Sequence, residues 1–228
     1  MKKKTIIFEV IIIFLFSVFM IIWNVGCKNI VCNIYGGVEY NYGDINVLAM
    51  GKWLFVFAMY FLITGYEMLN NQRMFLFEIY RYKNYKTWWR NYFFNTQFSI
   101  FLIYIFSALE LVIIEQRDGI SLMNDLLIIV FFYMHLQMYI SILICSGVLF
   151  KNSICPGVLV VFEGLLYVFS VSDNNLIGIS GMYIRLKDID NTVYSGIGIG
   201  IIEAVISIVL FLAVKSLISN EKCERLVL

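Results

Sequence analysis

The chain has one proline, Pro156, and one histidine, His135, in 228 residues. Proline inside a helix removes a backbone donor and clashes with the preceding turn, so its near absence leaves long helices unbroken. The one that is present falls in the first turn of an apolar run, where the missing N–H costs nothing. A lone histidine, without a Glu-Glu-x-x-x-Arg sequence, argues against an intramembrane processing enzyme. Such enzymes need paired carboxylates with histidine, or histidine with cysteine, on facing helices. Cys145 lies ten positions along from His135, about 15 Å by helical rise, so those two cannot meet. No cysteine has zinc-ligand partners, and no catalytic, metal or cofactor site is expected. There is no G-x-x-x-x-G-K-[ST] loop and no room for a nucleotide domain. Internal repeats, low-complexity tracts and a soluble domain are also lacking.

What the sequence does contain is apolar length. Hydrophobic residues make up 61% of it, and its mean hydropathy is +0.83, outside the soluble range. Six stretches, about 5–23, 51–69, 98–114, 126–149, 154–171 and 196–217, reach or nearly reach bilayer-crossing length. Within hydrocarbon every backbone polar group must be satisfied internally, so such runs become helices. The expected fold is all-α: one transmembrane domain over 1–228 with six spans. The very short turn at 150–153 makes spans four and five an antiparallel hairpin.

The net charge of +1 says nothing of partners, but the placement of charge orients the chain. Lys and Arg accumulate in cytoplasmic segments. With the N-terminus inside, twelve fall on the inner side and five on the outer side, so both termini are expected in the cytoplasm. Lys2, Lys3 and Lys4 followed by an apolar run also describe a signal peptide. That run is longer than a signal's apolar core, and Asn24 stands where a lipoprotein cleavage box wants Leu, so a retained span is expected. Cys27 and Cys32 share the first outer loop, where either a disulfide or two thiols can exist.

Carboxylates and a histidine inside spans are costly, and by default they face a bundle interior or a wet cavity. Glu163 lies mid-span in the fifth stretch, Glu203 in the outer half of the sixth, and His135 in the fourth. These three are the candidate intramembrane polar path. Gly196, Gly200 and Ala204 form a small-residue stripe that lets another helix approach.

The segment at about 70–95 is basic and aromatic, with no Pro or Gly. It is expected as a cytoplasmic helix at the interface, either an anchor or a docking element, and nucleic acid is not expected. Its distinctive residues are Arg73, Arg81, Lys83, Lys86, Trp88, Trp89 and Arg90.

Two short stretches carry a resemblance. Tyr80-Arg81-Tyr82-Lys83 followed by Lys86-Thr87-Trp88-Trp89-Arg90 is similar to an "R-Y-x-s-r-x-x-W-W" element, and Gly181-Met182-Tyr183-Ile184-Arg185 to an "n-w-x-M-x-x-R" element. With the six-span layout, they make the chain resemble small ABC-2 type permeases. The nearest group is the exporters and self-protection permeases associated with lantibiotics and other peptide antibiotics in the cell membrane of Gram-positive bacteria. Two departures are visible. Lys2, Lys3 and Lys4 lead straight into the first span, without an amphipathic surface helix. Ser180 and Gly181 stand where a proline often precedes the outer Met–Arg element.

The resemblance implies a permease subunit that binds no cofactor itself and pairs with a second copy or a sister permease. The basic segment would seat on a separate cytoplasmic ATPase that holds ATP-Mg, and the cargo would be an amphipathic molecule such as a peptide. Met182 and Arg185 would be the outer motif. The competing expectation is a non-transporting membrane immunity or assembly protein.

Overall fold

The computed structural model describes residues 2–23, 29–39, 44–82, 84–115, 122–150, 155–172, 181–187 and 192–218. Among them every regular element is helical: α1 (Lys2–Trp23), α2 (Ile30–Tyr35), α3 (Val47–Tyr82), α4 (Tyr85–Glu115), α5 (Leu122–Phe150), α6 (Cys155–Ser172), α7 (Tyr183–Lys187) and α8 (Thr192–Leu217). Four stretches, Val47–Leu69, Tyr85–Glu115, Leu122–Leu149 and Gly196–Leu217, are long and apolar enough to cross a membrane. Shorter apolar helical stretches cover Phe14–Trp23 and Pro156–Ser170.

Two helix starts are set by asparagine. The Asn46 side chain accepts the Ala49 N–H at 3.1 Å, so α3 begins at Val47. The Asn84 side chain accepts the Lys86 N–H at 2.9 Å, and α4 begins at Tyr85. Both satisfy backbone donors that a helix start otherwise leaves orphaned.

The second cap corrects an expectation. The segment at 70–95 is not a separate interfacial helix. Its first part is the continuation of α3 as far as Tyr82, and its last part is the opening of α4. With no Pro or Gly to stop it, α3 runs on past its apolar window as far as Tyr82.

The bundle is organised around α5, which packs against α2, α3, α4, α6, α7 and α8. Its ring Phe132 sits among Tyr35, Trp53, Phe57, Tyr60 and Tyr104, with centroids 4.8 to 6.4 Å apart. Offset and edge contacts at such distances add to simple burial. Polar contacts fasten the same helices, as expected where lipid gives no hydrophobic drive to helix pairing. Tyr35, Tyr60 and Ser107 share hydrogen bonds of 2.8 to 3.1 Å. Gln97 donates to Ser141 at 2.9 Å, and Tyr104 donates to the Ile129 carbonyl at 2.7 Å.

The small-residue stripe is half as expected. Gly196 and Gly200 lie against Phe131 and Met134 of α5, but Ala204 is exposed. The buried line on α8 runs Gly196, Gly200, Glu203, Ser207. At about 3.6 residues per turn, Glu203 returns close to the line through Gly196, while Ala204 lies about 80° off it. The opposite face, including Ile201, Val205, Ile208 and Leu212, is exposed and apolar, as suits lipid tails.

Candidate functional site

Three ionisable side chains from three helices meet inside the bundle. His135 Nδ1 of α5 lies 2.5 Å from Glu203 Oε1 of α8. On the other side of the ring, Nε2 lies 3.4 Å from Glu163 Oε2 of α6. All three are buried, with exposures of 1, 4 and 2% for His135, Glu203 and Glu163. The imidazole is therefore a bridge between two carboxylates that no backbone connects.

Glu163 has further donors. The Trp53 indole of α3 donates to its Oε1 at 2.8 Å, and the Tyr139 hydroxyl donates to its Oε2 at 2.7 Å. Both partners are buried aromatics whose single polar atom needs an acceptor. The rings of Phe57 and Tyr139 flank the imidazole edge-on at 5.7 and 4.9 Å. On α8 the Ser207 hydroxyl donates back to the Glu203 carbonyl at 3.0 Å. The segment leading into α7 closes one side. Gly181 adopts φ +81°, and a Cβ there would stand 2.6 Å from the His135 ring. Only glycine gives both the left-handed backbone and the close approach.

The three residues of the expected polar path are thus brought together by the tertiary structure. Tyr139 was open to inference, because it stands one helical turn from His135 on the same face. Trp53 gave no local signal, since an indole in an apolar span reads as core. Among the described residues, no group of three or more His, Cys, Asp and Glu side chains is arranged to hold a metal ion.

The outer motif residues build a second junction. Arg185 is 0% exposed. Its Nε donates to the Val38 carbonyl at 2.9 Å, and its Nη1 to the Ser170 hydroxyl and carbonyl at 2.6 and 3.3 Å. The guanidinium also stands over the Tyr167 ring at 5.1 Å, a favourable cation–π placement. Met182 is fully buried against Gly37, whose φ is +96°. The Ile184 N–H donates to the Gly36 carbonyl at 2.9 Å. Together these tie α7 to the end of α2 and to α6. Glu115, the last residue of α4, is buried and accepts the Val31 N–H at 2.7 Å.

The basic aromatic segment divides in two. Trp88 and Trp89 are 5 and 0% exposed and face the bundle rather than presenting rings outward, whereas Lys86 and Arg90 are exposed. Trp89 packs against Phe211 of α8, and Trp88 stacks on Tyr92 of its own helix. Arg73 and Arg81 belong to the extension of α3, and Lys83 lies outside the described residues. Cys32 sits half-buried in α2, and Cys27 lies outside the described residues.

No protein-family model, curated protein sequence or solved structure matches this chain. Fold and site define its class: an all-α protein with membrane-spanning character and a buried histidine–carboxylate cluster.

Proposed function

We propose that the chain is a permease subunit of an ABC-type transporter, with six spans and both termini cytoplasmic. It pairs with a second permease copy or sister chain and with a separate ATPase. Its cargo is amphipathic, an antimicrobial peptide being the leading class. The observation that carries this reading is the α3–α4 hairpin. Helix α3 continues beyond its apolar stretch, which ends at Leu69, to Tyr82, and α4 starts at Tyr85. The α3 extension is about 20 Å long by helical rise. Arg73, Arg81, Lys86 and Arg90 line this hairpin in sequence, a basic tip suited to an acidic cytoplasmic surface.

The buried tryptophans supply the transmission. Trp89 is anchored to Phe211 of α8, and α8 carries Glu203. A partner that moves the hairpin would therefore move α8 against α5. ATP-driven closure of a partner dimer is a source of such a push, acting on two discrete helix arrangements.

The test is purification of the full chain from its native membrane in mild detergent, with mass spectrometry of what accompanies it. A stoichiometric P-loop ATPase, lost in a K86E/R90E variant that still inserts, supports the proposal. Recovery of the chain with only itself or a small peptide overturns it in favour of a stand-alone immunity or assembly protein.

A further inference from the structure

The permease reading gives the buried histidine–carboxylate cluster no task. An ATP-driven subunit needs no ionisable groups in its interior, and burying them is expensive. Helix contact alone needs less, since serine, threonine or glutamine bonds helices without charge, as Gln97 and Ser141 do here.

The geometry is that of a relay. A neutral imidazole has one N–H and one bare nitrogen, and the imidazolium has two N–H groups. At His135 each ring nitrogen faces a different carboxylate, Glu203 from α8 and Glu163 from α6. Among the described residues, the titratable groups in contact with the ring are Glu163, Glu203 and Tyr139 of its own helix. Helix α3 presents Trp53 to Glu163 and Phe57 to the ring, and the segment before α7 presents Gly181. No other charge enters this set.

We infer that Glu203, His135 and Glu163 form a proton-binding site that passes a proton between α8 and α6 through the imidazole of α5. The step balances without any redox partner. The carboxylic acid of Glu203 gives its proton to Nδ1 while the Nε2–H proton leaves for Glu163 Oε2. One O–H and one N–H bond break, and one N–H and one O–H bond form. The ring changes tautomer, and net charge is unchanged.

The two ends differ in a way that gives the site direction. Glu163 keeps Trp53 and Tyr139 as donors when His135 withdraws. On Glu203 the ring is the side-chain partner that joins it to another helix. With two shared protons, as imidazolium or as a neutral ring that accepts from a carboxylic acid, both contacts hold; with one, a bare ring nitrogen faces a carboxylate. Proton occupancy therefore decides whether α5 grips α6 and α8 together.

His135 is the only histidine, so histidine-selective nitrogen-15 labelling of the full chain in lipid bilayers reports this site alone. Solid-state NMR over a pH series reads which ring nitrogens carry hydrogen. The expected result is a ring whose protonation changes with pH while the chain stays folded. In E203Q the doubly protonated fraction should fall about tenfold, for loss of one close opposite charge. Should E203Q not fold, Y139F keeps the shape and alters only the competition for Glu163 Oε2, and it should move the Nε2 resonance while leaving Nδ1 in place. A ring held in one fixed neutral tautomer at every pH, or a titration identical in wild type and the folded variants, would overturn the site. Neither readout involves an ATPase, so the result stands apart from the transporter proposal.

Discussion

The Trp89 indole donates to the Phe211 carbonyl at 3.2 Å, and its ring stacks on the Phe211 ring at 6.1 Å and 16°. This joins the first turn of α4 to the last turns of α8. Trp89→Ala should lower stability by about 3–5 kcal/mol through lost burial and the cavity left. Trp89→Phe should cost about 1 kcal/mol, chiefly the hydrogen bond. Thermal unfolding of the purified chain in detergent separates the two. Equal losses would mean that the ring packing seen here does not carry the joint.

His135→Ala should be more damaging than its size implies. It leaves Glu203 and Glu163 buried without the group between them, and breaking a buried charged set by removing one member costs about 3–5 kcal/mol. Adding Glu163→Gln and Glu203→Gln to that variant should recover part of the loss, since neutral amides are cheaper to bury. A triple variant no more stable than His135→Ala would show that charge is not what the cluster balances. Unfolding midpoints at matched detergent concentration are the measurement.

Arg185→Lys removes the fork that reaches Val38 and Ser170 at once, and a single ammonium cannot reproduce it. Amide exchange in 36–38 and 181–187 should quicken about tenfold, for about 1.5 kcal/mol of lost charged hydrogen bonding. Exchange in α4 should stay unchanged. Uniform acceleration across the chain would instead indicate global destabilisation.

Gly181→Ala should cost about 1–2 kcal/mol for the left-handed backbone alone. Its methyl group would also meet the His135 ring, so the single histidine resonance should shift. An unperturbed histidine signal in a folded Gly181→Ala variant would mean that this segment does not cover the cluster.

Much of the helical layout was legible without coordinates. Each expected apolar stretch overlaps one helix, and four of these helices hold a stretch long and apolar enough to cross a membrane, because helix formation in an apolar run depends only on local backbone satisfaction. The ends were less legible. The start of α4 at Tyr85 depends on a side-chain cap by Asn84, and a hydropathy reading places the span thirteen positions later, at Phe98. Trp88 and Trp89 invite a surface reading, since tryptophan beside arginine marks a membrane interface. The burial of Trp89 depends on where Phe211 lies, more than a hundred positions away.

The sequence by itself determined that this is an all-helical chain suited to a membrane, and that Glu163, Glu203 and His135 lie inside its apolar stretches. Both follow from composition along short windows, where the cost of burying a polar group is a property of the group. Only the tertiary structure decided that these three meet, across 28 and 68 positions. In helices apolar on nearly every side, hydropathy does not say which face turns inward. That choice is made by close packing at Gly196 and Gly200, by the ring cluster around Phe132, and by hydrogen bonds between helices.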